Sequence, residues 1–361
     1  MGQRVKVGMV GAGKISGQYL ETLAGIDALE LVAVADMVPA RAAEVAQQVP
    51  TARALGLDEL LAADDVELVL NLTVPQAHAE VALAGIAAGK MVYGEKPLAA
   101  TLAEAAEVVR AAELAGVTIG CAPDTVLGTG MQSARKAVDD GLVGTPISAS
   151  ATFMNPGPER WHPNPDFLYA PGGGPLLDLG PYYVSGLVTL LGPVERVFGA
   201  GSRKRDHRVI GSGPRAGELI PVLVDTHVTG VLEHRGGVLS TLVTSFDAVG
   251  TRASRIEVHG DRGSLVVPDP NRFDGDPEIH RAGGDGWEVL PPSAGYRDAG
   301  RGVGMLDFTS GAPRAGGALA YHVLEVLERV LESAAKGVRV DVTSTVERPE
   351  PVPLQDLPRP S

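Results

Sequence analysis

Asp178 and Tyr182 stand four residues apart in GGGPLLDLGPYY, residues 172–183. On a helix that spacing sets a carboxylate and a phenol on one face, a turn apart, where both can act on one small molecule. The plain alternative is an ordinary helix start. A second charged pair, Glu95–Lys96, follows the apolar run VYG. Charges at the carboxyl end of a buried strand are costly unless used, and such strand ends are where α/β sheets place ligands. Pro97 fixes the backbone after the lysine and permits a cis bond that would aim Lys96 inward. An exposed pair that merely opens a loop is the competing possibility.

Further upstream, VGMVGAGKISG carries Gly11 and Gly13 directly after a β-rich run. The first suits a tight turn, and the second lets backbone amides, with Lys14 and Ile15 following, approach a pyrophosphate at a helix N-terminus. Ser16 occupies the third glycine's place, with Gly17 next. Asp36 ends the run LVAVAD about twenty residues on, where an acid binds ribose hydroxyls. It would repel a 2′-phosphate, which favours NAD over NADP, although Arg41 on the following segment can pair with a phosphate. Thr73, Pro75 and His78 follow the run ELVLNLT and are expected to line the nicotinamide side. His78 serves equally well as a residue of the helix face at that turn.

The segment NPGPERWHPNPDFLYAPGGG, residues 155–174, is punctuated like an ordered loop and holds Trp161 and His162. Phe153, Trp161, Phe167, Tyr169, Tyr182 and Tyr183 are six of the chain's fifteen aromatic residues. Aromatic faces ringed by polar groups suit a sugar or cyclitol, whereas a hydrophobic cluster anchoring the loop explains the same density. Asp124, in CAPDT after another β-rich run, is a candidate substrate residue or a helix cap. His322 lies in an amphipathic segment and is expected to pack. His207, His227, His234, His259 and His280 show no metal-ligand spacing, so no catalytic metal is expected.

These residues need a scaffold. Up to residue 122, VKVGMV, LVAVAD, ELVLNLT, KMVYGE and VTIGCA alternate with Ala-rich helical segments. Such alternation predicts a doubly wound parallel sheet covered on both faces. From residue 123 to 361, TPISASATFM, DTHVTGVLEH, GVLSTLVTSF, SRIEVHG and GSLVVPD predict an α+β domain with a large, open, mostly antiparallel sheet. The segment ALAYHVLEVLERVLESAAKG predicts a late helix stopping at Gly337. The tail RPEPVPLQDLPRPS reads as a strap that can return to the first domain, or as a loose end.

Composition bounds the partners. With 361 residues, 44% hydrophobic and 21% charged, the chain suits two globular domains. A net charge of −13 disfavours nucleic acid and anionic membrane surfaces. The single cysteine, Cys121, and the absence of a leader or long apolar stretch fit a cytoplasmic protein.

Taken together, the glycine turn, TVPQAHAEVALAGIAAGKMVYGEKP and GGGPLLDLGPYY resemble the Gfo/Idh/MocA oxidoreductases over nearly the whole chain. The resemblance implies a Rossmann domain, an open C-terminal sheet and a homodimer or homotetramer formed through it. It also implies that Lys96 meets both the nicotinamide ribose and the substrate hydroxyl, with Glu95 beside it, and that Asp178 lies in the substrate pocket. The family pattern often continues Asp-x-Gly-x-His, the histidine accepting a proton; here that position is Tyr182.

When a carbinol carbon yields hydride to nicotinamide, its hydroxyl must lose a proton to a nearby base. A phenol, with a pKa of about 10, needs a neighbouring cation for this part. Tyr182 beside Lys96, neutral Lys96 itself, or a loop histidine such as His162 are the three candidates. The expected activity is an NAD-dependent dehydrogenase or reductase acting on a secondary hydroxyl of a sugar, glycoside or cyclitol. Redox-neutral glycoside cleavage or epimerisation, and a dinucleotide-binding regulator without turnover, are the alternatives.

Overall fold

Val5–Val10 begins the chain's first sheet, and its last four residues are buried, as a strand covered on both faces requires. The computed structural model describes residues 4–308 and 313–358; the ends of the predicted tail and of the N-terminal segment lie outside them. The chain divides into two units: Met1–Thr129 with Ala294–Tyr321 and Val352–Ser361, and Gly130–Ser293 with His322–Pro351. Two late segments therefore group with the first unit rather than with the residues around them.

In the first unit, strands β1 (Val5–Val10), β2 (Leu29–Ala35), β3 (Arg53–Ala54), β4 (Leu68–Asn71), β5 (Met91–Gly94) and β6 (Ile119–Cys121) form one sheet in the order β3-β2-β1-β4-β5-β6. Every pairing in it is parallel. The order reverses between β1 and β4, which makes their carboxyl ends the switch point where ligands bind such sheets. Helices α1 (Ser16–Ala24), α2 (Pro39–Gln48), α3 (Leu57–Ala62), α4 (Pro75–Ala87) and α5 (Leu102–Ala115) alternate with the strands. At the start of α5 the Thr101 Oγ1 accepts from the Glu104 amide at 3.2 Å, and Glu104 answers through Oε2 to the Thr101 amide at 3.0 Å. The short β3 and α3 were not expected from the sequence. The Lys96–Pro97 and Ala122–Pro123 bonds are cis.

The second unit is built on a nine-stranded sheet. Its strands are β7 (Pro146–Met154), β8 (Val194–Ser202), β11 (His227–His234), β12 (Leu239–Ser245), β13 (Ile256–Gly260), β14 (Gly263–Val267), β15 (Glu278–Arg281), β16 (Trp287–Val289) and β18 (Val340–Asp341). They run in the order β16-β15-β14-β13-β7-β12-β11-β8-β18. All pairs are antiparallel except β7 with β12, so the sheet is mostly antiparallel, as expected from the sequence. A hairpin of β9 (His207–Val209) and β10 (Leu219–Pro221) stands apart from it. Helix α6 (Thr129–Asp139) precedes the sheet, and α7 (Pro175–Leu191) packs against β7, β11 and β12. The late helix α9 (Gly317–Lys336) ends where Gly337 takes φ +67°. On β8 a Cβ at Gly199 would lie 2.2 Å from the Val330 carbonyl oxygen, so only glycine lets this strand meet α9. The other face is open: Phe198 is paired with Val231, and both side chains are exposed.

The remaining elements of the first unit are α8 (Gly304–Phe308) and the strands β17 (Tyr296–Arg297) and β19 (Gln355–Asp356), which pair in parallel. The Asp27 amide donates to the Pro358 carbonyl at 2.9 Å, so the tail lies along this unit. Among the described residues, no helix is long and apolar enough to cross a membrane.

Candidate active site

At the end of β1, Gly11 has φ +100°, and a Cβ there would lie 2.6 Å from the Leu72 carbonyl oxygen. No other residue fits. A Cβ at Gly13 would meet no atom within 4 Å, leaving its backbone open to a close-approaching ligand. Ser16 is buried and its Oγ donates to the Gly13 carbonyl at 2.7 Å, so the residue in the third glycine's place ties the turn together. Lys14 is exposed and Ile15 caps α1.

Asp36, just past β2, accepts the Ala12 amide through Oδ2 at 2.8 Å and the Val38 amide through Oδ1 at 2.7 Å. Each oxygen keeps a second lone pair for a hydroxyl donor. Arg41 is exposed in the first turn of α2. The sequence reading missed the apolar residues around this acid: Met37 is 100% exposed, and Val38 and Val74 are also exposed at the ends of β2 and β4. Apolar side chains this open beside a dinucleotide turn suit a flat aromatic base. Their position directly after a strand end was the available signal. An open Gly13, an acid with spare acceptors and this apolar ledge fit a dinucleotide.

His78 faces away from that role. It is buried, with Nδ1 at 2.6 Å from the Pro97 carbonyl and Nε2 at 3.1 Å from the Thr73 carbonyl. Burial lowers its pKa more than those carbonyls raise it. The ring therefore lies between the turn after β4 and the Lys96–Pro97 segment, its single N–H bonding one of the two carbonyls, and both nitrogens face protein rather than a cofactor. Thr73 is half-buried and its Oγ1 donates to Asn71 Oδ1 at 2.6 Å, while Pro75 opens α4.

Glu95 also has structural partners. Its Oε1 accepts the Tyr19 hydroxyl at 2.7 Å and its Oε2 accepts the Lys96 amide at 3.0 Å. The Cys121 thiol donates to the Glu95 carbonyl at 3.4 Å. Lys96 is half-buried just past β5. Asp124, a candidate substrate residue from sequence, is 0% exposed, and its Oδ2 accepts the Gly302 and Gly304 amides at 2.8 and 3.0 Å. Its carboxylate anchors a loop of its own unit instead of meeting a substrate. Burial raises its pKa against the pull of those amides.

In the second unit, Gly174 at φ +91° and Pro175 start α7, and the Asp178 amide donates to the Gly174 carbonyl at 3.1 Å. Asp178 is half-buried in the first turn, and Tyr182 sits one turn later, 5% exposed. The helical spacing read from the sequence is thus realised.

The aromatics of the preceding loop divide between the two roles foreseen for them. Tyr169 and Phe246 belong to a buried cluster against which Phe153 packs, and Tyr183 contacts Phe153. Trp161 and Phe167 are instead 61% and 56% exposed, with the His162 ring edge-on to both at 5.6 and 5.5 Å. His162 Nδ1 accepts the Asn164 amide at 3.1 Å, which puts the neutral ring's proton on Nε2. In this conformation Nδ1 is engaged and is not placed to act as a base.

A buried arginine that sequence reasoning missed holds this loop. Arg208 donates to Glu159 Oε1 at 2.9 Å, Asp247 Oδ1 at 2.6 Å and the Phe246 carbonyl at 3.1 Å. Tyr169 donates to the other Glu159 oxygen and lies 5.5 Å from the guanidinium. Among the described residues, no three His, Cys, Asp or Glu side chains converge as a metal ligand set.

Residues 5–122 match the family model of oxidoreductases with an NAD-binding Rossmann fold, GFO_IDH_MocA. Residues 131–266 match the GFO/IDH/MocA C-terminal domain. The chain is 28% identical over 265 residues to myo-inositol 2-dehydrogenase of Thermotoga maritima, spanning 73% of this chain and 75% of that protein. It is 30% identical over 266 residues to trans-1,2-dihydrobenzene-1,2-diol dehydrogenase of Bos taurus, spanning 73% and 74% respectively. Among solved structures, levoglucosan dehydrogenase in complex with NADH and L-sorbose shares the fold with a TM-score of 0.78 at 22% identity, over 95% of this chain and 100% of that one.

Proposed function

The chain belongs to the Gfo/Idh/MocA oxidoreductase family, and from that premise we propose that it is an NAD(P)-dependent dehydrogenase or reductase acting on a secondary hydroxyl of a sugar, glycoside or cyclitol. The observation that carries this is the carboxyl edge of the parallel sheet. There an open Gly13 and Asp36 can hold a dinucleotide, and the lysine Lys96 follows β5 in the same unit. NAD(P), when bound, supplies the hydride acceptor or donor. Asp36 favours NAD, because its negative charge meets the position a 2′-phosphate would take.

Lys96 lowers the cost of removing the hydroxyl proton by placing a positive charge beside the developing alkoxide. Tyr182, one turn after Asp178 on α7, is the base or relay for that proton. Asp178 accepts hydrogen bonds from neighbouring hydroxyls and orients the ring. Trp161 and Phe167 offer their faces to the substrate. The exposed Phe198–Val231 row of the open sheet supports a homo-oligomer that covers it.

Lys96→Ala tests the assignment. Nucleotide binding should be retained while turnover falls by about 10²–10⁴-fold, the range for loss of a group that aids proton transfer. An unchanged turnover would remove Lys96 from the chemistry.

A further inference from the structure

Tyr19 is 0% exposed on α1, the helix that follows the glycine turn, yet its hydroxyl reaches across the sheet edge to Glu95 Oε1 at 2.7 Å. The other carboxylate oxygen accepts the Lys96 amide at 3.0 Å. Glu95 thus has one oxygen on the nucleotide-binding helix and one on the backbone of the lysine. We propose that Tyr19 is a positioning residue for Lys96, acting through Glu95 and coupling the nucleotide turn to the lysine that serves the reaction. The catalytic part of this rests on the function proposed above.

The surroundings leave Tyr19 little freedom. Gly302 has φ +102°, and a Cβ there would lie 2.9 Å from Tyr19 Cδ1. A Cβ at Gly304 would lie 2.4 Å from the Tyr93 hydroxyl oxygen. Both glycine amides are held by Asp124 Oδ2, so this backbone is fixed against the two rings. At Gly300 a Cβ would meet Thr22 Oγ1 at 2.4 Å, which brings the same segment against α1 a turn further on. Burial and the nearby Glu95 charge hold the Tyr19 phenol protonated, as a donor. A tyrosine kept only for packing would not need a carboxylate partner whose second oxygen constrains the next residue's amide.

The test uses Tyr19→Phe, which keeps the ring and removes the hydroxyl, with Glu95→Gln as the second variant. Residue-resolved amide hydrogen exchange on the full chain reads the constraint without any turnover. Exchange at the Lys96 amide should rise about fivefold to tenfold in Tyr19→Phe, as for loss of one hydrogen-bond partner, with amides of Val5–Val10 unchanged. Glu95→Gln has one carbonyl oxygen for two donors and should raise it similarly. With substrate, Tyr19→Phe should lower kcat about tenfold at nearly constant KM for the nucleotide, and the double variant should be no slower than Glu95→Gln alone. Unchanged exchange at Lys96 in both variants overturns the positioning role, as does a double variant whose losses multiply. If the wild-type chain oxidises no polyol, the proposed function fails, while the exchange result still decides the link between Tyr19 and Lys96.

Discussion

Asp36 holds Ala12: the aspartate Oδ2 accepts the amide in the middle of the Gly11–Gly13 turn at 2.8 Å. One side chain thereby shapes the turn and stands where ribose hydroxyls would donate. Replacing it should act on affinity and on cofactor choice together. We expect Asp36→Ala to weaken NADH binding about 10–100-fold, as for loss of hydrogen bonds to a charged group, while NADPH binding weakens less or improves. Fluorescence titration of both reduced nucleotides checks this; equal losses for the two would mean that the charge does not discriminate.

Tyr182 stands one turn after Asp178 and is nearly buried. If it carries the proton, Tyr182→Phe should lower kcat about 10²-fold or more and leave nucleotide affinity unchanged. Full activity in this variant would make the phenol structural. Lys96 and His162 would then be the next candidates, although His162 would first have to release the Asn164 amide from Nδ1.

The buried Arg208 joins Glu159, on the loop carrying Trp161 and His162, to Asp247 after β12. Removing the guanidinium leaves two carboxylates short of their partner in a buried site. Arg208→Met should cost about 3–5 kcal/mol of stability. Urea denaturation measures it, and a loss under about 1 kcal/mol would show that the network relaxes without the arginine.

Acid should destabilise the chain in two windows. Burial lowers the pKa of His322 to about 4, outweighing the attraction of Glu325, so the unfolded state binds the extra proton between about pH 6.5 and 4. Stability is therefore lost as pH falls through that interval, by up to about 3 kcal/mol from this residue. Protonation would also take Nε2 from the Val194 amide it accepts at 3.1 Å. His78 and His234, lowered by burial too, act in the same direction. For Glu325, burial opposes ionisation, but hydrogen bonds from Ser344 and Thr343 prevail and hold the pKa at about 2. Its contribution is complete above about pH 4.5 and disappears as pH falls toward 2. Urea midpoints from pH 8 to 4 should decline in wild type and less steeply in His322→Asn; parallel curves would contradict the assignment.

Local pattern carried much of this architecture. The apolar runs before Gly11 and Asp36, and the spacing that ends at Gly337, were readable because short-range periodicity and turn chemistry decide them. Strand β8 was not, since its Gly199 and Gly201 weaken the strand signal for the sake of contacts far along the chain. The candidate site divides in the same way. Residues at strand ends were legible, but Asp124 shows that a strand-end acid can serve its own backbone, here a loop 178 residues away. Tyr19 lies 76 residues from Glu95 and Arg208 lies 49 from Glu159, and no local signal marks such partners.

The central claim is hydride exchange between a nicotinamide and a ring alcohol. Near-ultraviolet absorbance should be followed as the chain meets NAD or NADP with a panel of inositols, free sugars and glycosides. Growth of the reduced-nucleotide band with at least one of them, faster with NAD than with NADP, is the predicted result. A flat trace across the whole panel, with nucleotide binding demonstrated in the same preparation, would contradict it.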